Sequence, residues 1–541
     1  MSHRLSKKRL RDAAIIADLG GRDEAFFARL KIPRAALEQA QLDLVGRMVF
    51  PGDPHYDTDR KLFNPLFDAF PSLIIYCLTE ADVRIAINLG WGHHLPVTIR
   101  SGGHSTAGYS ASSGMLIDVS GLNDVLIWPD NPIATVGCGT TFGKLNSALA
   151  MRGLHMPVGE CDDVCVGGFM QGGGYGFTSR TFGIHSDNVL GIRVMLADGS
   201  IVTASAQSNR DLWWAVRGGT GNNFGVLLSA NYQLRPLGKV YGWAIYWPLA
   251  QESDRQTAAA ALMGMQADFF RTAPPEFNIQ VSICYQPTEP GGTELVPQLL
   301  VRGLYVGSQA DGRAAIRPLL DMAGAVFQYD AFDSFNTIDA MLLNSPYDIP
   351  PLPPTRGMPN EDKQARYVAR DLALAEWQSL LDFFVTSPNQ WSYLYLEIYG
   401  GAINAYPLED SAFIHRDVAF SACLDVFWYP EDDPTPPENF LTDWCTLMQP
   451  MWNGHVYQNY PSGAVPDYRA NYWGQALGAL VAVKNKYDPR GFFAFPQMVA
   501  PYTNGKGGAG TSVTETSMIW PPEVARALAQ PIILADSGKN P

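Results

Sequence analysis

The sequence predicts an α+β protein of more than one domain, and three observations carry that prediction. The chain has 541 residues, more than one hydrophobic core usually serves. Between about 47 and 240, short β-like runs alternate with Gly-bearing turns, with helical patterns between them. From 241 to about 454 the texture changes to one dense in Trp, Tyr and Phe.

Residues 1 to about 46 read as a helical extension, because "AALEQAQLDLVGRMVF" spaces its apolar residues as a helix does. In 47–240 the runs "PSLIIYCL", "LPVTIR", "GMLIDVS", "IATVGCG" and "GIRVMLADGSIVTAS" predict strands, while "EADVRIAINLGWGH" and "TFGKLNSALAMRG" predict helices. In 241–454, "FNIQVSICYQ" and "QLLVRGLYVG" predict strands, and "DGRAAIRPLLDMAG" and "ARDLALAEWQSLLDFFV" predict helices. The Pro-rich "DIPPLPPTRGMP" over 348–359 predicts a loop or lid. After about 455, "ANYWGQALGALVAVKNKYDPRGFFAF" predicts a helix that stops near Asp488-Pro489, since the residue before a proline is pushed out of the helical region. The Gly-rich "TNGKGGAGTSVTETS" predicts a mobile tail. No internal repeat is visible.

Composition narrows the function. A net charge of −14 argues against a nucleic-acid surface, which needs clustered Lys and Arg. Seven scattered Cys (77, 138, 161, 165, 284, 423 and 445) make an odd, sparse set that implies no disulfide framework. The basic start lacks the apolar core of a secretory signal, and no window approaches a membrane span. A cytoplasmic protein without membrane or nucleic-acid partners is expected. The 51 Gly exceed the usual share and should sit at special backbone sites.

Two of those sites stand out. "RSGGHS" (Arg100, Ser101, Gly102, Gly103, His104, Ser105) directly follows a predicted strand. Consecutive glycines let backbone N–H groups converge on an anion, and a diphosphate is the natural guest; a plain turn with a solvent-facing His is the alternative. "GECDDVCVGGFMQGGGYG" holds Cys161 and Cys165 ahead of more glycine than a turn needs. That run suits backbone packed against a flat ligand. A metal site from Cys161, Cys165 and His104 matches zinc spacings poorly, so no metal is expected. No G-x-G-x-x-G dinucleotide fingerprint follows a first βα turn.

Together with "SDNVLGIRVMLADGSIV", "DLWWAVRGGTGNNFGV" and the tail "NYWGQALGALVAVKNKYDPRGFF", these motifs resemble, in order, the berberine-bridge-enzyme-like branch of the vanillyl-alcohol-oxidase flavoprotein superfamily. The resemblance covers about 47–240 and 455–500. It implies a PCMH-type FAD-binding domain in two parts, 47–240 and 455–541, around a substrate domain at 241–454 whose antiparallel sheet is covered by helices. It implies FAD attached twice, through His104 to the 8α carbon and Cys161 to C6. By motif position it also assigns FAD contacts to Arg100, Ser101, Gly102, Gly103, Ser105, Val164, Gly167, Gly168, Gly172, Gly173, Gly174, Gly176, Gly225, Val226 and Tyr472. The chain departs from the family pattern at Asp162-Asp163, usually Pro-Thr, and at Cys165, usually Gly. A small residue at Val164 is associated with oxygen reactivity.

The resemblance also points to a base for oxidising an alcohol. Tyr460, in "VYQNYPS", ranks first, with Tyr457 as support and Glu397 in "LYLEIYGG" second. A buried Tyr wall, or a Glu facing solvent, are the plain alternatives. Three functions remain open on sequence: an oxidase acting on a hydroxyl group of a sugar or other bulky metabolite, with O2 as acceptor; a flavoenzyme that closes rings or desaturates; and a non-catalytic flavin-binding protein.

Overall fold

The computed structural model describes residues 15–287, 289, 292–344, 356–500, 530 and 533. Most of the Pro-rich 348–359 segment and the Gly-rich tail lie outside them. The predicted strands in 47–240 form at Leu73–Tyr76, Val97–Arg100, Met115–Asp118, Ile133–Gly137, Val189–Met195 and Ile201–Ser205. Their helices form at Glu80–Gly92 and Phe142–Ala150. The first starts on a capping box, in which the Thr79 side chain accepts from the Asp82 N–H and Asp82 answers in return.

Two small sheets build this half. In one, Leu73–Tyr76, Met115–Asp118 and Val97–Arg100 run parallel, with Arg47–Val49 antiparallel at the edge. The other is antiparallel, ordered Val125–Ile127, Ile133–Gly137, Val226–Gln233, Val189–Met195, Ile201–Ser205. The parallel strands need crossovers, and Glu80–Gly92 supplies the first. Helices Glu24–Leu30 and Arg34–Asp43 bury Phe26, Phe27, Leu30 and Leu37 in the same core. The tail returns to it through Tyr472 on helix Tyr468–Trp473, and through Leu480, Val483 and Tyr487 on helix Leu477–Tyr487, which ends just before Asp488-Pro489.

The second half is one seven-stranded antiparallel sheet. Its order is Val326–Asp333, Val240–Pro248, Leu295–Tyr305, Phe277–Pro287, Tyr393–Ile398, Phe420–Trp428, Asn360–Val368. Side chains alternate across a strand. Ile279, Val281, Ile283, Leu394, Leu396, Ile398, Leu424 and Val426 therefore share one core with Trp377 and Trp444 from the covering helices Leu374–Phe384 and Thr435–Met448. The intervening residues, Gln280, Ser282, Tyr395, Glu397 and Asp425 among them, face the other way. That second face is polar although it is buried.

Arg180 fastens the halves together. It is 1% exposed, and among the described residues its guanidinium donates only to main-chain carbonyls, those of Phe277 at 2.8 Å, Ala273 at 3.0 Å, Phe270 and Tyr399 among them. Removing the guanidinium leaves several buried carbonyls unpaired. Arg180→Met is expected to cost about 1–3 kcal/mol, as leaving buried acceptors unsatisfied does. Denaturant unfolding checks this; a change below about 1 kcal/mol would show that water replaces the side chain.

Candidate active site

A cavity of about 630 Å3 opens where the loops of the first half meet the polar face of the large sheet, within the ~300–1,000 Å3 range of ligand pockets. Ser101, Gly102, Gly103, His104 and Ser105 line it immediately after strand Val97–Arg100. Cys161, Val164, Gly167, Gly168 and Gly225 line it too, with Tyr457, Tyr460 and Tyr472 from the returning tail. From the sheet come Gln280, Ser282, Lys363, Tyr393, Tyr395, Glu397 and Asp425.

The His loop has free donors. Gly103 has φ +77, the left-handed region glycine tolerates. The backbone N–H groups of Gly102–Thr106 donate to no protein acceptor among the described residues. His104 stacks on Phe63, ring centroids 4.5 Å apart, and its Nε2 lies 3.3 Å from Asp163 Oδ2. Burial, the largest influence, pushes its pKa down; Asp163 opposes that. Cys161 is open to the cavity, and desolvation with the nearby carboxylates pushes its thiol up to about 12. Cys165 is buried, donating to the Gly139 carbonyl at 3.3 Å and packing under Gly102.

Six residues expected to touch the cofactor stand outside the cavity wall. Arg100 is buried beneath the loop, paired with Asp118 at 2.6 Å. Val226 opens an antiparallel strand opposite Met195. The run Gly172, Gly173, Gly174 and Gly176 meets protein rather than a flat ligand. A Cβ on Gly172 would fall 2.0 Å from Asn459 Oδ1, and one on Gly176 would fall 1.8 Å from the Val158 carbonyl. Gly173 approaches Phe413, and Gly174 is wedged between Phe169 and His185. Only Gly172 makes room for the tail segment 457–460; the other three make room for Phe413, for Phe169 and His185, and for the Val158 carbonyl.

Tyr457 is part of that tail segment. Its Oη accepts from the N–H groups of Gly174 (2.9 Å) and Tyr175 (3.1 Å) and from Asn459 Nδ2 (3.0 Å). With its lone pairs so used, it is a support for Tyr460, whose ring lies 4.8 Å away, and not a proton acceptor.

Tyr460 and Glu397 form a hydrogen-bonded pair in the cavity wall. Tyr460 Oη donates to Glu397 Oε1 at 2.6 Å. Glu397 faces the cavity, not solvent. It is 2% exposed, and its Oε2 has no hydrogen-bond partner. Desolvation pushes its pKa up to about 8, despite the Tyr460 bond that lowers it. Burial and the neighbouring Glu397 push Tyr460 well above the ordinary phenol value. Of the two, the carboxyl is held nearer neutrality and the phenol is pushed further from it.

Sequence reasoning missed several wall residues. Lys363 Nζ bridges Glu361 at 2.5 Å and Asp425 at 2.9 Å, 5.1 Å from the Tyr460 ring centroid. Glu160, beside Cys161, accepts from Gln280 Nε2 at 2.7 Å, and Arg302 Nη2 donates to Gln280 Oε1 at 2.9 Å. Alternating Asn278, Gln280, Ser282 in a predicted strand was the available signal.

A model described as "FAD binding domain" matches residues 71–205, and one described as "Berberine and berberine like" matches 456–500. These are the two segments that wall the cavity on its loop and tail sides. The chain is an FAD-dependent oxidoreductase that carries a berberine-like segment. An FAD-linked oxidoreductase of Bacillus subtilis, YvdP, is 29% identical over 466 residues, 85% of this chain and 98% of that one. A carbohydrate oxidase of Microdochium nivale is 29% identical over 507 residues, 87% of this chain and 96% of that one. The solved BBE-like protein of Physcomitrella patens is 25% identical, with a TM-score of 0.75 over 86% of this chain and all of that one. The flavoenzyme thus has the expected fold, a PCMH-type FAD-binding part beneath a helix-covered antiparallel sheet. Its free amides at Gly102–Thr106 fit the diphosphate of FAD. No described helix is long and apolar enough to cross a membrane.

Proposed function

We propose that this flavoenzyme is an oxidase that removes a hydride from a carbon bearing a hydroxyl group, in a sugar, a glycoside or another bulky metabolite. FAD would be held covalently by His104 and Cys161. When bound, FAD supplies the hydride acceptor and passes the electrons to dioxygen, giving hydrogen peroxide. The observation that carries the reading is the Tyr460–Glu397 pair, in the same cavity as His104 and Cys161.

The chain's own groups perform the rest. Removing a hydride from a carbinol carbon requires that its hydroxyl proton leave as well. Glu397 is the acceptor, with Oε2 free of protein partners and a pKa raised by burial toward working pH. Tyr460 holds Oε1 and so fixes which oxygen takes the proton. The cavity also offers Tyr393, Tyr395 and Phe427 beside Gln280 and Ser282. Flat rings among hydrogen-bonding groups suit a substrate with apolar ring faces and hydroxyl edges. The carbohydrate oxidase of Microdochium nivale supports the sugar class.

A panel of mono- and oligosaccharides, aromatic alcohols and glycosides, read for flavin bleaching without air and peroxide release with it, tests the proposal. Val164 lines the cavity, and its N–H closes a turn on the Cys161 carbonyl. Val164→Ile adds a methylene at that wall, so reoxidation by air is expected to slow roughly tenfold while anaerobic reduction is preserved. Reduced enzyme that persists for minutes in air rules out the oxidase reading. Bleaching only by substrates that lack a free hydroxyl favours ring closure or desaturation.

A further inference from the structure

One polar contact in the cavity has no part in the chemistry above. His104 Nε2 stands 3.3 Å from Asp163 Oδ2. Asp163 belongs to the Cys161–Val164 turn, closed by the Val164 N–H donating to the Cys161 carbonyl at 3.2 Å. The turn is tied to the start of helix Phe142–Ala150. The Phe142 N–H reaches the Val164 carbonyl at 3.0 Å, and the Gly143 N–H reaches the Asp162 carbonyl at 2.9 Å. The backbone under Asp163 is therefore fixed, although its side chain is 68% exposed. On its other side His104 is held by the Phe63 ring.

A neutral imidazole has one N–H and one lone pair, and the group bonded to the N–H decides which nitrogen is which. A carboxylate at Nε2 keeps the proton there and leaves the lone pair on Nδ1. Burial favours the neutral ring, and Asp163, Glu361 and Lys363 are the charged groups acting on it.

Resting on the covalent attachment proposed above, we propose that Asp163 is a positioning residue for that attachment: it holds Nε2–H of His104 and makes Nδ1 the bonding nitrogen. In the step, an Nδ1–carbon bond forms at the 8α carbon of FAD and one C–H of that carbon leaves as a proton. The two electrons released pass through the flavin to dioxygen, which takes up that proton and a second one from water and leaves as hydrogen peroxide. The imidazole becomes cationic, and the Asp163 carboxylate faces that charge. A single turn thus carries both the Cys161 thiol and the group that orients His104.

The test uses the full chain with Cys161→Ser, in which His104 is the remaining attachment residue. Protein produced under riboflavin limitation is mixed with FAD, and flavin retained after acid precipitation is followed by mass and colour. Adding Asp163→Asn is expected to slow retention roughly tenfold, the scale of one charge-assisted hydrogen bond weakened by solvent. Non-covalent FAD affinity, read by fluorescence quenching, stays the same. The slowing persists well above the imidazole titration range, where the ring is neutral in both proteins, and Asp163→Glu recovers part of the rate. If Cys161→Ser alone releases all its flavin in acid, the attachment through His104 itself fails. If it retains flavin and Asp163→Asn attaches at the same rate, the role of Asp163 is overturned while attachment stands. Loss of non-covalent FAD binding in Asp163→Asn also overturns it, because the carboxylate then holds the turn and not the ring.

Discussion

Glu397→Gln is expected to slow reduction of the bound flavin by substrate ~10²–10⁴-fold, the usual loss when a general base is removed. Gln preserves the volume and can still accept from Tyr460, so folding and FAD content should be unchanged. What disappears is the group that takes the proton. In the parent enzyme, anaerobic stopped-flow reduction should rise with pH and level off above about 8, where burial has placed the carboxyl. Tyr460→Phe removes the hydrogen bond that lowers the Glu397 pKa. Its profile should therefore move to higher pH, with a smaller loss on the plateau. The same carboxyl affects stability with a definite sign. Folded protein binds its proton more tightly than unfolded protein does. Its contribution is thus full at low pH and is lost as pH rises from the ordinary carboxyl range through about 8. Glu397→Gln should flatten that part of the stability profile. Near-parent reduction by Glu397→Gln, together with its abolition in Tyr460→Phe, would make the phenol the base after all.

Acid precipitation is expected to leave the flavin in the protein pellet, and peptides containing His104 and Cys161 should each carry the mass of FAD. The loops bearing these two residues wall one cavity, each with its side chain open to it. His104→Ala and Cys161→Ala should each keep flavin on the remaining residue, and the double variant should release all of it. The effect is all-or-none because a covalent bond survives denaturation whereas free amides and packing do not. A colourless pellet from the parent enzyme would rule out attachment. A pellet that keeps its colour in the double variant would move the bond elsewhere, with Cys165 the nearest thiol in sequence. That thiol is buried against the Gly139 carbonyl.

Much of the architecture was legible because its signals are local. "LPVTIR" and "GMLIDVS" are short apolar runs closed by glycine, and they fold as adjacent parallel strands. Asp488-Pro489 stops the last helix at Tyr487 through a steric clash that no tertiary contact has to supply. The two glycine loops, with His104 and Cys161, were legible because chemistry and backbone freedom are written in the same few residues.

The rest depended on what faces what. Strand Asn360–Val368 carries Glu361, Asp362, Lys363, Gln364 and Arg366, a composition that reads as solvated surface, and it was absent from the predicted strands. It is buried because its neighbour, Phe420–Trp428, brings Asp425 opposite Lys363, a pairing between residues 62 apart. The glycine run 172–176 has the same composition whether it packs on a ligand or on protein, and only the assembled neighbours, Asn459, Phe413, His185 and Val158, decided between them. The proton affinities of Tyr460 and Glu397 depend on the fold in the same way. Sequence places a phenol and a carboxyl in the chain, but their proton affinities follow from burial and from a 2.6 Å contact across 63 residues. The sequence by itself determined that His104, Cys161, Tyr460 and Glu397 are present to meet in one site. The tertiary structure decided which of them is charged, because desolvation and pairing are properties of the assembled cavity and not of any segment of chain.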